Sequence, residues 1–163
     1  MAFDTFLQIE GLPGECLDQK HKNWIQLFSL SHQVHQIGDG SASAVGVRTA
    51  GKCDHGDIHF TKTMDKCTPQ LLLKCCTGKH YPKAVIEVCK NTGQKEVFMK
   101  YTLHHVVVAS YSVGMGVGQE APMESVSFSY SKIEWAYTDI NSQTGAKGAT
   151  VPASWNIQTN AEN

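Results

Sequence analysis

Charged residues are scarce in this sequence. Asp, Glu, Lys and Arg make up 18% of its 163 residues, whereas about 25% is usual for a soluble domain. Fourteen Lys and Arg are balanced by fifteen Asp and Glu, and the basic residues form no run. The sequence therefore lacks the basic footprint of a nucleic-acid-binding protein. A surface with little charge, close to neutrality, instead favours self-association.

Long apolar segments are also missing. The longest local candidate, VVVA at residues 106–109, is far short of the roughly 18 residues of a membrane helix, so we expect no membrane insertion. The N-terminal stretch MAFDTFLQIEGLPGE has no basic segment, no apolar core and no small-residue cleavage site of a signal peptide. We therefore expect a chain that folds in the cytosol and keeps its six cysteines reduced.

Most of the apolar pattern has a period of two, which predicts a protein built of strands. In residues 24–37 the apolar side chains that share one face are predicted to point to the core: Phe28, Leu30 and Val34. The opposite face is polar and is predicted to point to water or to a partner: Ser29, Ser31, Gln33 and His35.

Further strands follow along the chain. Residues 52–62 predict a strand with Ile58 and Phe60 inward, and the loop NTGQ joins two strands of a predicted hairpin at 81–90 and 95–114. The alternation in residues 124–139 shifts phase, which predicts a β-bulge near Ser131 or Lys132. Two stretches of small residues, 38–51 and 141–153, predict long loops, and SWNIQ predicts a short final strand.

One helix is predicted, over the stretch TPQLLLKCCTG. Thr68 is the expected N-cap, Pro69 stands at the first helical position, and Gly78 follows the end. Cys75 and Cys76 continue two rows of leucines at i+4, so we expect their thiols to be packed. The expected architecture is a single domain over residues 1–163, mainly β, with one short α-helix packed on two sheets or on a barrel.

The cysteines and histidines offer little metal chemistry. Along a helix Cys67 and Cys75 would lie roughly 12 Å apart, although thiolates on one zinc must come within about 4 Å. The best remaining set shares one face of the strand predicted at 52–62: Cys53, His55, Asp57 and His59. A residue pair at i, i+2 on that face could chelate a metal, but the favoured interpretation is a solvent-facing strand surface. We predict no metal site and no cofactor.

Catalytic motifs are not recognisable. The stretch GMGVGQEA lacks the Lys-Ser/Thr ending of a phosphate loop and leads into a strand. No G-x-S-x-G occurs and the acidic residues are scattered. A cysteine nucleophile with a distant histidine stays open, because such partners meet only in the fold. We predict no catalytic residues and no enzyme activity.

Four segments carry a resemblance to a known family: MAFDTFLQIEGLPGE, FTKTMDKCTPQLLLKCCTGKHYPKA, VSFSYSKIEWAY and the terminal SWNI. They resemble the Hcp (hemolysin-coregulated protein) family, the tube subunits of the bacterial type VI secretion system. The similarity runs from Ala2 to about Gln158. Its most specific parts are FTK at 60–62, DK at 65–66, TP at 68–69 and GKHYP at 78–82.

The resemblance implies a fold and a structural role. The fold is a β-barrel-like sandwich of two sheets with one short α-helix. For the role, the resemblance implies homohexameric rings that stack into a tube, a VgrG-type spike at its tip, a contractile sheath around it and effector toxins carried in its lumen. It also implies assembly in the bacterial cytoplasm, followed by secretion to the extracellular space or a target cell without a signal peptide. The segment 38–51 resembles the loop that reaches the next ring, with Val45, Val47 and Arg48 as contact residues. Ser29, Ser31 and Gln33 would line the lumen and contact cargo.

Two alternatives stay open. A phage-like tail-tube protein would share the fold and self-assemble without a secretion apparatus. A metal-binding protein would use the strand from Cys53 to Phe60.

Overall fold

Strands dominate the computed structural model, which describes residues 2–39 and 49–163. In chain order the elements of this part are β1 Phe3–Ile9, β2 Ile25–Leu27, β3 Ser29–Ser31, β4 Val34–Asp39, β5 Thr49–His55, β6 Ile58–Thr63, α1 Thr68–Thr77, β7 Tyr81–Asn91, β8 Lys95–Gly114, β9 Met123–Ser129, β10 Lys132–Ile140 and β11 Lys147–Asn156. The alternating apolar residues of the sequence explain this content, because each strand has a side that can be buried.

The strands form one large antiparallel sheet and one small one. The large sheet has the order β2-β1-β7-β8-β9-β6-β3, and β10 pairs with both β8 and β11. The long strand β8 belongs to two halves, since residues 95–106 pair with β7 and residues 107–114 pair with β9. Strands β4 and β5 form the small sheet. The predicted fold class is confirmed: a mainly β single domain with two sheets and one short helix.

The ends of the large sheet come together through the chain itself. Strand β2 stands at one end of the order and β3 at the other, and Phe28 alone separates them in the sequence. The N–H of Phe28 donates to the carbonyl oxygen of Thr61 on β6, at 2.9 Å. The described strands nevertheless do not close into a complete barrel.

The core lies between the two halves of the large sheet. Ile58 and Phe60 are buried as predicted, with 0% and 1% of their surface exposed. The prediction for Phe28 and Val34 is wrong, because they are 60% and 43% exposed. Residues 24–37 are three strands and not one: the register changes at Phe28, and β4 leaves the large sheet.

Three boundaries differ from the prediction. Residues 52–62 do not form one strand, since β5 ends at His55 and β6 begins at Ile58. The phase shift near Ser131 marks a break instead of a bulge, because β9 pairs with β6 while β10 pairs with β11. The final strand begins at Lys147, well before SWNIQ. Both ends of the loop predicted at 38–51 belong to strands, because β4 extends to Asp39 and β5 begins at Thr49. Residues 40–48 of that loop lie outside the described residues.

The helix spans Thr68–Thr77 and so begins one residue earlier than predicted, and Gly78 follows it with a left-handed φ of 68°. The N-cap is Cys67 and not Thr68, and the Thr68 hydroxyl donates to Glu124 Oε1 at 2.6 Å. Only the row that contains Leu71 faces the sheet, so Cys75 is half-buried and Cys76 is exposed, against the prediction that Cys76 is packed. Within residues 2–39 and 49–163, no helix is long and apolar enough to cross a membrane.

Candidate functional site

Short polar side chains cover one face of four neighbouring strands, β3, β6, β9 and β8. The strand registers place them in two rows, which we call the hydroxyl face. The first row is Ser29, Thr61, Ser125 and Ser112, and the second is Ser31, His59, Ser127 and Ser110. Residues paired across antiparallel strands point to the same side of a sheet, so the eight side chains share one surface.

Alternation within each strand produces this surface. Residues between the two rows point the other way and lie in or against the core: Leu30 on β3, Phe60 on β6, Val126 on β9 and Tyr111 on β8. A strand with a buried apolar side and a solvated polar side satisfies both environments. The hydroxyl face is therefore the outer surface of a sheet whose inner surface forms the core.

The hydroxyl face is open and consists of serine and threonine hydroxyls with one histidine. Ser29 Oγ lies 2.7 Å from Thr61 Oγ1, and Ser110 Oγ lies 2.5 Å from Ser127 Oγ. Seven of these side chains and the backbone enclose an open depression of about 380 Å³. None of the eight positions is Asp, Glu, Lys or Arg. Such a surface can exchange hydrogen bonds with a partner in many arrangements, because a hydroxyl is both donor and acceptor.

The structure brings together part of the predicted lumen set. Ser29 and Ser31 both lie on the hydroxyl face. Gln33 follows β3 and lines an adjoining depression of about 130 Å³ with His32 and Asp57. The predicted ring-contact residues Val45, Val47 and Arg48 lie outside the described residues.

Sequence reasoning missed the other members of the hydroxyl face: His59, Thr61, Ser110, Ser112, Ser125 and Ser127. The doublets S-x-S at 110–112 and 125–127 were the available signal, since they repeat the pattern of Ser29 and Ser31. The doublets are neighbours only because of the order of the strands in the sheet. A local sequence pattern does not contain that order.

The strand proposed as a possible metal ligand set is divided in the structure. Cys53 and His55 lie on β5 in the small sheet, and His59 lies on β6 in the large one. Across the part of the chain that the structure describes, no three His, Cys, Asp or Glu side chains are arranged to hold a metal ion. The expectation that all four residues share one strand face is wrong.

One cysteine and one histidine that are distant in sequence do meet. Cys89 Sγ lies 4.0 Å from His21 Nε2, and His21 Nδ1 lies 3.0 Å from Asp18 Oδ1. This order of groups is that of a nucleophile, a base and an orienting acid. However, the Cys89 thiol is buried, and burial raises its pKa to about 12. A nucleophile must be a thiolate, so this arrangement does not supply one near neutral pH.

His21 has a structural task instead. Its Nε2 lies 2.8 Å from Glu87 Oε2 on β7, and its ring stacks on Phe6 at a centroid distance of 4.1 Å. These contacts hold the long connection between β1 and β2 against the large sheet.

Comparison with known proteins supports a family assignment. A family model described as "Type VI secretion system effector, Hcp" matches residues 6–137. The protein Hcp1 of Pseudomonas aeruginosa is 33% identical over 163 residues, which cover 99% of each chain.

Solved structures agree with this match. One described as a type six secretion system protein has a TM-score of 0.93 and 29% identity, and covers 99% of this chain and 100% of its own. Hcp1 of Salmonella typhimurium has a TM-score of 0.81 and 30% identity, with 100% of both chains covered. Because the family model spans most of the sequence and a relative matches along almost its full length, the chain belongs to the Hcp family of the type VI secretion system.

Proposed function

We propose that this chain is a structural subunit that forms hexameric rings, which stack into the type VI secretion tube and carry or export effector toxins in their lumen. The observation that carries the proposal is the hydroxyl face, a broad sheet surface on which seven of eight side chains are serine or threonine. Membership of the Hcp family supports the proposal, because in a tube built of such subunits this surface could line the lumen.

The hydroxyl face is suited to line that lumen. Six copies related by a closed rotation would repeat the two rows around the ring. Neutral hydroxyls can bind different protein surfaces without imposing one charge pattern, because each hydroxyl is both donor and acceptor. Ser29 and Ser31 would contact cargo directly, and Gln33 would contact it at the edge of the face.

The remaining partners follow from the same proposal. Rings would stack through the segment that contains Val45, Val47 and Arg48. A VgrG-type spike would cap the tube, and a contractile sheath would drive it out. Assembly would occur in the bacterial cytoplasm, with secretion to the extracellular space or a target cell.

The first test is the mass of the reduced protein, by light scattering during size-exclusion chromatography with and without a chelator. The proposal expects a hexamer that resists the chelator. A monomer that loses bound zinc would contradict it and return attention to Cys53, His55, Asp57 and His59.

Cargo retention is tested with a paired substitution. Ser31→Trp places a bulky ring in the hydroxyl face, and Ser142→Trp places one on the exposed turn after β10. We expect both variants to form rings and only Ser31→Trp to lose co-purifying effectors, measured by mass spectrometry of proteins bound in the producing cell. Equal cargo in both variants, or loss of the rings in Ser31→Trp, would contradict the lumen assignment.

A further inference from the structure

The small sheet of β4 and β5 is a hairpin that leaves the large sheet at a narrow root. Val34, the first residue of β4, pairs with His55, the last of β5. Just below this pair, the N–H of Gly56 donates to the carbonyl oxygen of Gln33 at 2.9 Å. His32 precedes β4, so one histidine stands at each side of the root.

His32 contacts the body of the protein through Tyr130. Its Nε2 lies 2.6 Å from the Tyr130 hydroxyl, which donates to the carbonyl oxygen of Gly56 at 3.1 Å. Tyrosine has one hydroxyl proton, so when Gly56 receives it, the His32 Nε2–H must be the donor to the Tyr130 oxygen. Both strands of the root are thereby joined to one buried tyrosine.

His55 lies among tryptophans. Its ring is inclined by 22° to Trp135 and by 14° to Trp155, with centroid distances of 6.4 and 6.5 Å. Its Nδ1 is buried and has no hydrogen-bond partner. A proton on that atom would create a buried N–H donor and a positive charge without an acceptor, which is costly in an apolar setting.

We propose that His55 is the acid-sensitive group of a latch at this root: its neutral ring, together with the His32–Tyr130 hydrogen bond, holds the β4–β5 hairpin on Tyr130, Trp135 and Trp155, and protonation of His55 at its unpartnered Nδ1 releases the hairpin. The inference concerns the isolated chain and does not depend on ring formation. The released state keeps the large sheet folded, because the hairpin strands pair only with each other.

The direction of the effect follows from the surroundings of each ring. Burial lowers the pKa of His32 below its ordinary value of 6.5, and a positive charge on His55 lowers it further. Burial also lowers the pKa of His55, although Asp54 acts in the opposite direction. The attached state therefore binds fewer protons than the released state, and the latch weakens as the pH falls below about 6.5 towards the lowered values.

Other groups around the latch do not reverse this direction. Tyr101 approaches His32 edge-on at 6.3 Å, and its own pKa is raised by burial, so it stays neutral. Cys53 and Asp57 lie near Tyr130. Burial, followed by these two neighbours, raises the pKa of Tyr130, so its hydroxyl stays neutral. Both tryptophan centroids are farther from the His55 ring than the roughly 6 Å of an effective cation–π contact.

Hydrogen exchange of the full chain tests the latch at pH 7.5, 6.0 and 5.0, with rates corrected for the intrinsic effect of pH. Because the pKa values of His32 and His55 are lowered in the attached state, we expect amides of β4 and β5 to lose protection between pH 7.5 and pH 5.0. Amides at 84–86 in β7 should keep theirs. A parallel loss in both regions would indicate global unfolding and overturn the proposal, as would no loss in the hairpin.

Substitutions separate the latch from other histidines. His55→Phe keeps an aromatic ring that cannot be charged, and His32→Gln keeps a donor for Tyr130. The double variant should lose the pH dependence of hairpin exchange, while His80→Gln, at an exposed histidine, should behave like the parent. A double variant with unchanged pH dependence would assign the effect to other groups. If the double variant fails to fold, His55→Phe alone should reduce the pH-dependent loss by at least half, and no reduction would overturn the proposal.

Discussion

Lys62 Nζ lies 2.6 Å from Glu124 Oε2, and neither side chain has any exposed surface. Four further groups complete the pair. Lys62 Nζ also donates to the carbonyl oxygen of Thr63 and to Asp65 Oδ1, each at 2.9 Å, and the hydroxyls of Thr68 and Tyr111 each donate to Glu124 Oε1 at 2.6 Å. Burial of two charges is costly, and such hydrogen bonds offset much of that cost. The network joins β6, β8, β9 and the start of α1 directly beneath the hydroxyl face.

Removal of the cation should therefore destabilise the fold strongly. In Lys62→Met, Glu124 keeps two neutral donors but loses its opposite charge. We expect the free energy of unfolding to fall by about 3–5 kcal/mol. The measurement is urea unfolding at one protomer concentration. Lys100→Met is the control, because Lys100 is 46% exposed and 3.9 Å from Glu87, and it should cost less than about 1 kcal/mol. Similar losses in the two variants would contradict the assigned importance of the buried pair.

The same pair predicts how stability responds to acid. Burial alone raises the pKa of Glu124, but hydrogen bonds from Lys62, Thr68 and Tyr111 outweigh burial and bring it below the ordinary value of 4.5. The unfolded chain then binds more protons, so stability is present above pH 4.5 and is lost as the pH falls towards the lowered value. We expect Glu124→Gln to flatten the dependence of unfolding free energy on pH between 5 and 3. Glu15→Gln, at an exposed site, should keep the parent slope, and a parent slope in Glu124→Gln would refute the assignment.

Local signals predicted the parts of the fold that local chemistry determines. Pro69 and Gly78 define the helix because one lacks an N–H and the other tolerates a left-handed φ. Ile58 and Phe60 alternate with polar residues and are buried. The burial of Phe28 was predicted wrongly, because the chain passes at this residue from one edge strand of the large sheet to the other. The alternation of apolar residues does not show which strand pairs with which.

Of the candidate site, the sequence predicted only the residues that lie on one strand, β3. Ser29 and Ser31 were found from alternation, but Ser112 and Ser125 join them through pairings between strands far apart in sequence. Likewise, the motifs FTK and TP indicated the family. Their structural role is the contact of Lys62 and Thr68 with Glu124, which depends on the three-dimensional arrangement of the strands.

The thiols should differ sharply in reactivity. Cys76 is exposed, whereas Cys67 and Cys89 are buried, and burial raises the pKa of each to about 12. A disulfide reagent at pH 8 reacts with thiolates, so we expect Cys76 to react first and the two buried thiols to react only after unfolding in urea. Peptide mapping by mass spectrometry identifies the modified residues. Modification of native Cys89 as fast as Cys76 would show that the Cys89–His21 contact activates the thiol after all.

His105 has a left-handed backbone conformation within the long strand β8. Its φ is 50°, at the position where β8 stops pairing with β10 and begins to pair with β9. A side chain at positive φ costs about 1–2 kcal/mol relative to glycine, and glycine loses about 0.5–1 kcal/mol of that advantage through the entropy of the unfolded chain. His105→Gly should therefore be as stable as the parent or up to about 1.5 kcal/mol more stable.

His105→Val should lose stability, because a β-branched side chain fits a positive φ worst. Lys83→Val, on an exposed position of β7 with ordinary backbone angles, provides the control for valine on a strand and should stay within about 0.5 kcal/mol of the parent. Thermal and urea unfolding rank the variants. An order with valine at least as stable as glycine at position 105 would mean that the bend of β8 adapts to the side chain, and that the left-handed residue is not what positions the two halves of the sheet.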